Sequence, residues 1–231
     1  ERIEVVGTTP LAGVGVPRLH LPANVQSLDA QRMEDAESLH VADQMLRQVP
    51  AVTVNEIQGN PFQMDLNYRG FTASPLLGTA QGLSIYVDGV RVNEPFGDTV
   101  NWDLIPNSAI AGIDLVPGSN PVFGLNTLGG ALAMRTKSGF SHPGGKLEVS
   151  GGSFGRSNTE IEYGGNDGTL GAYIAGDWFR EDGWRNFSPS DVKQMFGKLS
   201  FRNRAGEADL SLTRARSRLI GNGVVPQSLL A

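Results

Sequence analysis

The sequence predicts an α+β domain, a small mixed sheet with short helices, followed by a series of antiparallel strands. Three observations lead to this fold class: β-type runs separated by glycine and proline between residues 83 and 137, a helix pattern before them, and alternating runs of about ten residues after residue 145. The chain also contains 30 glycines and no cysteine. This composition favours short strands joined by tight turns and excludes a disulfide scaffold.

The block from residue 83 to residue 137 is predicted to form the centre of the first domain. Its β-type runs are 83–87, 110–116 and 131–136, and Asp88-Gly89 after the first run is a strong hairpin signal. The apolar residues of these runs are expected to share one core: Val87, Ile113, Leu115, Leu132 and Met134.

Two helices are predicted before this block. Residues 24–28 read as a strand, and Asp29 after them has the position of an N-cap for a short helix through Met33. The second helix is indicated by an apolar stripe that ends at Pro50: Val41, Met45, Leu46 and Val49. We expect Leu46 and Val49 to cover the core of the sheet.

The N-terminal 17 residues have two possible roles. Residues 1–8 form a β-type run, and residues 9–17 are too rich in glycine and proline to predict regular structure. The run is either an exposed tag on a flexible tether or the first strand of the local sheet. No charged and then apolar leader opens the sequence, which predicts that a signal peptide, if one existed, has been removed.

Alternating apolar and polar residues dominate the chain after a glycine-rich linker at 138–145. The predicted strands are 146–153, 157–164, 170–180, 194–202 and 208–216. Such alternation fits a membrane barrel wall or a soluble sheet with a buried apolar face. Alternating short and long connections favour the barrel, and five strands are too few to close one, because the smallest membrane barrels have about eight. The barrel is therefore expected to be incomplete in this chain.

Charge and hydropathy exclude several classes of protein. The net charge is −5, and the first 137 residues carry 8 basic and 14 acidic side chains, whereas the remainder carries 11 and 10. An acidic first domain argues against nucleic-acid binding, which needs a clustered basic surface. The sequence contains no run of 18 apolar residues and therefore predicts no transmembrane helix.

Six segments occur in a distinctive order: 43–52, 66–71, 86–90, 110–118, 123–124 and 128–134. This order resembles the plug domain of TonB-dependent outer-membrane receptors. Ala51 and Pro117 depart from the family, which usually has glycine and arginine at these positions. The resemblance implies three regions: a TonB-box-like segment and tether at 1–17, a plug at 18–138, and the first barrel strands at 139–231.

The resemblance also implies partners and site residues. The protein is expected in the outer membrane, in contact with its lipid, importing a small-molecule ligand such as a ferric siderophore or similar metal chelate with energy from periplasmic TonB. The residues expected to bind TonB are Ile3, Glu4, Val5, Val6, Gly7 and Thr8. Three polar loops, 55–65, 72–82 and 93–101, are expected to form the outward plug apex, where ligand binds. The residues expected to contact ligand there are Gln58, Asn60, Phe62, Gln63, Thr79, Gln81, Asn93, Glu94, Phe96, Asp98 and Trp102. Those expected between plug and barrel are Arg69, Asp88 and Arg91.

Signals for an enzyme or a cofactor are poor. His20, His40 and His142 are scattered without carboxylates at ligand spacing, and no nucleophile elbow or phosphate-binding loop is present in the sequence. We therefore predict no catalytic residue, metal site, cofactor or nucleic-acid partner. The alternative function is a soluble or periplasmic β-rich module that binds carbohydrate or protein, for which the same polar loops would form the site.

Overall fold

The computed structural model describes residues 5–7, 15–17, 23–35, 38–56 and 58–221, which divide into two compact units. The first unit contains the described residues within 1–55, 65–101 and 110–136. The second contains those within 56–64, 102–109 and 137–231. Two segments from the first half of the chain therefore belong to the second unit.

The first unit combines short strands with two helices, α1 (Ala30–Asp35) and α2 (Val41–Gln48). Its strands are β1 (Val5–Gly7), β2 (Gly15–Pro17), β3 (Gln26–Asp29), β4 (Val52–Asn55), β5 (Asp65–Tyr68), β6 (Phe71–Ala73), β7 (Leu83–Val87), β8 (Val90–Arg91), β9 (Ile110–Pro117) and β10 (Gly130–Thr136). They form three sheets, in the orders β3-β9-β10-β7-β8, β4-β5-β6 and β1-β2. Because β10 pairs in parallel with β7 and antiparallel with β9, the central sheet is mixed, as predicted.

The strands of the central block confirm the sequence prediction closely. The bounds of β7 agree with it, and β9 and β10 are each one residue longer than expected. The predicted hairpin is also present: Asp88 and Gly89 have φ angles of 46° and 83° between the paired strands β7 and β8. Positive φ at both turn residues matches the right-handed twist of a hairpin, which explains why Asp-Gly occurs here.

The core of the central sheet contains four of the five predicted residues. Ile113, Leu115, Leu132 and Met134 are at most 1% exposed, whereas Val87 is half-buried. The sheet therefore has one well-packed face whose register is fixed by the alternation of apolar residues.

Helix α2, with the residue that follows it, buries three of the four residues of the predicted stripe and leaves the fourth exposed. Its buried apolar residues, with the residue that follows it, are Val41, Ala42, Met45 and Val49. Leu46 is 44% exposed, so the prediction for Leu46 is wrong. The reason lies in Gln44, which is 1% exposed and donates from Nε2 to the Met33 carbonyl oxygen of α1 over 2.8 Å. This bond turns the buried face towards Val41 and Met45 and leaves Leu46 at its edge.

Side-chain caps begin both helices. The Asp29 carboxylate accepts a hydrogen bond from the Arg32 amide over 3.0 Å, which confirms the predicted cap of α1. His40 caps α2, because its Nδ1 accepts from the Asp43 amide over 3.2 Å. Histidine is not among the preferred N-cap residues, so the sequence does not indicate this second cap.

The N-terminal segment contains more regular structure than the sequence predicts. Three residues of β1 pair antiparallel with three of β2, with Val5 opposite Pro17. The expectation that residues 9–17 lack regular structure is wrong at β2. A proline is tolerated there because each strand of a two-stranded sheet has one edge that needs no ladder hydrogen bonds. Strand β1 belongs with β2 to a sheet of its own and to neither of the other two sheets of the unit, while Ile3, Glu4 and Thr8 lie outside the described residues.

The second unit is built on a five-stranded antiparallel sheet. In order, its strands are β11 (Gly144–Gly152), β12 (Arg156–Asn166), β13 (Leu170–Glu181), β14 (Ser190–Asn203) and β15 (Gly206–Leu219). All five predicted strands are confirmed, and each is longer than predicted. The described strands do not close into a barrel, as predicted.

One face of this sheet exposes the apolar side chains that a soluble sheet would bury. The face we call outward exposes large apolar side chains: Leu147, Val149, Ile161, Tyr163, Ile174, Trp178, Met195, Leu199, Leu210 and Leu212. The opposite, inward face buries polar and apolar residues together. The polar ones are Asn158, Glu162, Asp177, Glu181, Gln194, Lys198 and Ser200, and the apolar ones are Tyr173, Ala175, Phe179, Val192 and Phe196. A membrane barrel shows this polarity, with apolar residues on the lipid side and polar residues inside. Neither helix in the described ranges has the length and apolar composition needed to cross a bilayer.

Candidate functional site

Two of the three predicted apical loops, 72–82 and 93–101, meet in the first unit. The amide of Val100 donates to the Ser74 carbonyl oxygen over 2.9 Å, which joins the loops at their bases. Gln81 braces the first loop: its Oε1 accepts from the Ser74 amide over 2.8 Å, and its Nε2 donates to the Ser74 carbonyl oxygen over 3.2 Å. The structure thus gives Gln81 a role in holding the loop.

A polar network holds the second of these loops. Asn93 is 7% exposed; its Oδ1 accepts from the Ile85 amide over 2.7 Å and its Nδ2 donates to the Asp98 carbonyl oxygen over 3.1 Å. The Asp98 carboxylate accepts from Arg91 over 2.9 Å and from Asn126 over 2.9 Å. These bonds fix the path of residues 93–98, so that the loop tip is presented on a rigid base.

The tip of this loop is apolar and exposed. Phe96 is 80% exposed and Leu77 on the neighbouring loop is 64% exposed. Gly97, with φ of 77°, brings the loops together, because a Cβ atom added there would lie 2.6 Å from Leu77 Cδ2. The predicted residues Thr79 and Glu94 are half-buried, and Glu94 accepts from Asn101 over 3.0 Å. The sequence analysis did not single out Leu77, although the pair Leu76-Leu77 within a Gly/Ser/Pro loop is a detectable signal.

The third predicted loop, 55–65, lies largely in the second unit and is mostly buried there. Asn60 is fully buried, accepts from the Phe62 amide and donates to Ser190 Oγ over 2.9 Å. Phe62 packs edge-on against Phe179, with ring centroids 5.0 Å apart. Gln58 and Gln63 are half-buried, and their side chains reach Gly221.

Residue Trp102, also predicted at the apex, is 2% exposed in the second unit. Its indole Nε1 donates to the Met64 carbonyl oxygen over 3.0 Å. Asn60, Phe62 and Trp102 thus position backbone and side chains inside this unit. A buried aromatic ring with its N–H satisfied contributes chiefly to packing.

A buried polar cluster joins segment 102–109 to the inward face of the sheet within the second unit. Ser108 Oγ donates to Asp177 over 2.8 Å, and the Tyr173 hydroxyl donates to Glu162 over 2.7 Å. Lys137 forms an ion pair with Glu162 at 2.7 Å, and the two side chains are only 4% and 9% exposed. A buried pair of this kind is strongly destabilising to break, because either partner alone is an uncompensated charge. The sequence analysis missed this cluster, since its members are far apart in sequence.

The three residues predicted between plug and barrel have partners within the first unit. Asp88 accepts from the Thr136 amide over 2.9 Å, Arg91 pairs with Asp98, and the Arg69 guanidinium lies 5.1 Å from the centroid of the Tyr68 ring. Each therefore stabilises a turn or loop of its own unit.

One buried titratable group has a shifted pKa in the first unit. Burial raises the pKa of Tyr86, while the nearby Arg91 lowers this pKa by a smaller amount. The Tyr86 hydroxyl donates to the Phe123 carbonyl oxygen, and the two rings pack edge-to-face with centroids 5.8 Å apart. The described residues contain no group of three or more histidine, cysteine or acidic side chains placed to hold a metal ion.

Comparison with known proteins identifies the family of the plug domain and the fold of the whole chain. Residues 17–131 match the family described as the TonB-dependent receptor plug domain. Among solved structures, the ferric preacinetobactin receptor BauA from Acinetobacter baumannii matches with 16% identity and a TM-score of 0.71, over 91% of this chain and 30% of BauA. No curated protein matches the sequence.

Two further structures show the same fold. The siderophore receptor PiuA from Acinetobacter baumannii has 22% identity and a TM-score of 0.67, over 87% of this chain and 27% of PiuA. The copper transporter OprC has 13% identity and a TM-score of 0.66, over 95% of this chain and 32% of OprC. The chain spans about a third or less of the length of each of these proteins.

The fold therefore defines an outer-membrane protein, in which a mixed-sheet plug precedes antiparallel strands with an apolar outward face. The chain belongs to the TonB-dependent receptors, as their plug domain followed by part of the barrel wall. The fold class, family and location predicted from the sequence are confirmed.

Proposed function

We propose that this chain is the gating plug and the first wall strands of a TonB-dependent transporter, which imports a scarce ligand across the outer membrane. The observation that carries the proposal is the exposed apolar face of the sheet β11–β15, opposite a face that buries charged and polar side chains, directly after a plug domain. A soluble binding module would expose polar side chains and bury apolar ones. The proposed regions are the coupling segment and tether at 1–17, the plug at 18–138 and the wall strands at 139–231.

The ligand surface is proposed at the joined loops of the first unit. Phe96 and Leu77 supply an exposed apolar platform, and Thr79, Glu94 and Asp98 lie on the same two loops and supply polar groups around it. A chelated or planar ligand with a polar rim suits such a surface. Asn60, Phe62 and Trp102, which are buried, take the role of holding their loops in place.

The proposed ligand class is a ferric siderophore or a similar metal chelate. BauA and PiuA are receptors for ferric preacinetobactin and a siderophore, whereas OprC is a copper transporter. The shared fold supports a metal-containing cargo for this chain.

Energy coupling is proposed through residues 3–8, which would pair with a strand of TonB. Strand addition needs an extended backbone with one open edge. Strand β1 is extended and pairs with β2 along one edge, and none of the other described strands pairs with its second edge.

Deletion of residues 1–8 tests this function in the complete receptor. We expect ligand uptake by cells to be abolished, while ligand binding to the purified receptor stays within a few-fold of the unaltered protein. A matched control is replacement of the same residues by a Gly/Ser segment of equal length, which keeps the tether length and should also abolish uptake. Loss of binding equal to the loss of uptake would contradict the proposal, because the segment would then be part of the ligand site.

A further inference from the structure

A third loop, residues 118–129, lies at the same end of the central sheet as the two loops of the proposed ligand surface. It connects β9 to β10, and the first residue of β10, Gly130, pairs in parallel with Leu83, which follows loop 72–82. Strand β8 runs back along β7, so loop 93–101 leaves the sheet at this end as well. No residue of loop 118–129 is among those predicted at the ligand site.

Two buried residues attach loop 118–129 to β7. Thr127 is 4% exposed, and its hydroxyl shares a hydrogen bond with that of Ser84. Phe123 is 1% exposed, and its carbonyl oxygen accepts a hydrogen bond from the Tyr86 hydroxyl. Because these contacts are buried and close-packed, the loop has a fixed position on the sheet.

The end of loop 118–129 holds loop 72–82. The amide of Gly129 donates to the Gly82 carbonyl oxygen over 2.9 Å. Only glycine allows this approach, because a Cβ atom at Gly129 would lie 2.3 Å from Phe71 Cβ. The last residue of loop 72–82 is therefore held directly by loop 118–129.

The contact with loop 93–101 is made by Asn126. Its Nδ2 donates to Asp98 Oδ2 over 2.9 Å, while Arg91 donates to Asp98 Oδ1 over 2.9 Å. The Asp98 carboxylate thus has one donor from β8 and a second donor from loop 118–129. Hydrogen bonds to an ionised acceptor are stronger than those between neutral groups, so both contribute to holding the loop.

Backbone conformation explains why loop 93–101 depends on these bonds. Gly97 and Asp98 have φ angles of 77° and 54°, and Asn126 has a φ angle of 59°. Left-handed conformations are unfavourable for residues with a side chain, and asparagine and aspartate tolerate them best. Two consecutive left-handed residues persist only while surrounding contacts outweigh the strain.

We propose that loop 118–129 is a strut that positions both loops of the ligand surface, with Asn126 as a positioning residue. The inference rests on the proposed function, because it takes the tips of these loops as the place where cargo binds. Asn126 acts through Asp98 and sets the spacing between Phe96 and Leu77, and with it the size of the cargo that the apolar platform accepts. A surface held in its binding conformation beforehand avoids the entropic cost of being ordered by the cargo.

The test measures the position of the loop tip in the complete receptor, without ligand. Spin labels are attached at Val90→Cys in β8 and Phe96→Cys at the tip, both exposed positions, in a receptor with no other cysteine. Pulsed electron paramagnetic resonance gives the distribution of distances between the labels. We expect one narrow population in this doubly labelled receptor.

Two variants remove the contact of the strut with loop 93–101. Asn126→Gly keeps the left-handed backbone and deletes the amide, whereas Asn126→Asp places a second carboxylate against Asp98. In both, we expect a second distance population to rise about ten-fold or more, since a bond to a charged group shifts an equilibrium by about that factor.

Two matched variants separate this bond from added charge and from misfolding. Asn120→Asp adds the same charge to the same loop but keeps an acceptor, because Asn120 Oδ1 accepts from the Val122 amide over 3.0 Å. It should leave the distribution unchanged. The exchanged pair Asp98→Asn/Asn126→Asp again places a donor opposite an acceptor, with the bond reversed, and should restore the narrow population.

Three results would each overturn the proposal: an unchanged distribution in both Asn126 variants, an equal effect of Asn120→Asp, or no recovery in the exchanged pair. Because no ligand is present, any of these results would leave the proposed transport function standing. That function is tested separately by the deletion of residues 1–8.

Discussion

An arginine at Leu212 is expected to destabilise the receptor in a membrane, and the structure gives the expected magnitude. Leu212 is 75% exposed on the outward face of β15. It pairs with Gly197 of β14, which pairs with Ile174 of β13, so the three residues form one row across the sheet. The outward apolar band along β13 runs from Trp178 to Leu170. The eight steps between these nine residues span roughly 27 Å along the strand, or about 21 Å along the membrane normal at a tilt of about 40°.

The row that contains Leu212 is therefore close to the middle of the apolar band. Arginine on the lipid face at mid-bilayer reduces stability by about 2–4 kcal/mol, whereas an exposed substitution in water usually changes stability by less than about 0.5 kcal/mol. Thr213→Arg is the matched control, because Thr213 is adjacent and exposed on the inward face. We expect its effect to stay under about 1 kcal/mol.

The assay is reversible chemical unfolding of the receptor in lipid vesicles, followed by tryptophan fluorescence. Equal free energies of unfolding for Leu212→Arg and Thr213→Arg would refute the lipid assignment of the outward face. Spin labels at Leu199 and Leu210, which are 59% and 70% exposed, give an independent reading. They should be accessible to oxygen dissolved in lipid and shielded from a water-soluble relaxing agent; the opposite pattern would indicate a soluble sheet.

Three further predictions concern the packing and the charges. In the plug, Met45→Ala should reduce stability by about 2–5 kcal/mol, because Met45 is fully buried, while Leu46→Ala should reduce it by less than about 1 kcal/mol; urea unfolding of both variants measures the difference. Lys137→Met should destabilise by about 3–5 kcal/mol, and adding Glu162→Gln should restore much of the loss; no recovery in the double variant would argue against the buried pair. Burial raises the pKa of Tyr86, so the folded plug holds the proton of the Tyr86 hydroxyl more tightly than the unfolded chain does. The contribution of the neutral Tyr86 to the free energy of unfolding is therefore complete below about pH 10, the ordinary tyrosine pKa, and declines as the pH rises further. Tyr86→Phe should remove this alkaline decline in a thermal-unfolding series between pH 8 and 11.

The sequence predicts local elements well, because their signals lie within a few residues of each other. Asp88-Gly89 fixes a hairpin, and alternation fixes the strands from residue 144 onward. Leu46 shows where this reasoning fails: the apolar stripe alone does not reveal that Gln44 is buried by its bond to Met33. The phase of a short helix is decided by such tertiary contacts.

Sequence also suggests the loops of the candidate site but not the exposure of each side chain. Phe96 and Phe62 are both aromatic residues in polar loops, yet one is 80% exposed and the other 4% exposed. The difference arises from the partner of Phe62, which is Phe179, more than a hundred residues later in the chain. No local pattern contains that information.

These distant partners also bear on the order in which the chain folds. Asn60 and Ser190 are 130 residues apart in sequence, and Asp103 and Ser217 are 114 apart, although each pair is joined by a hydrogen bond. Contacts of such high contact order form late, because a long loop must be closed before they contribute any stability. Segments 56–64 and 102–109 therefore cannot form these native contacts until the strands β13–β15, which are synthesised much later, are in place. During that interval the inward carboxylates and amides of the sheet remain hydrated, and the docking of these two segments is expected to be the slow, final step of maturation.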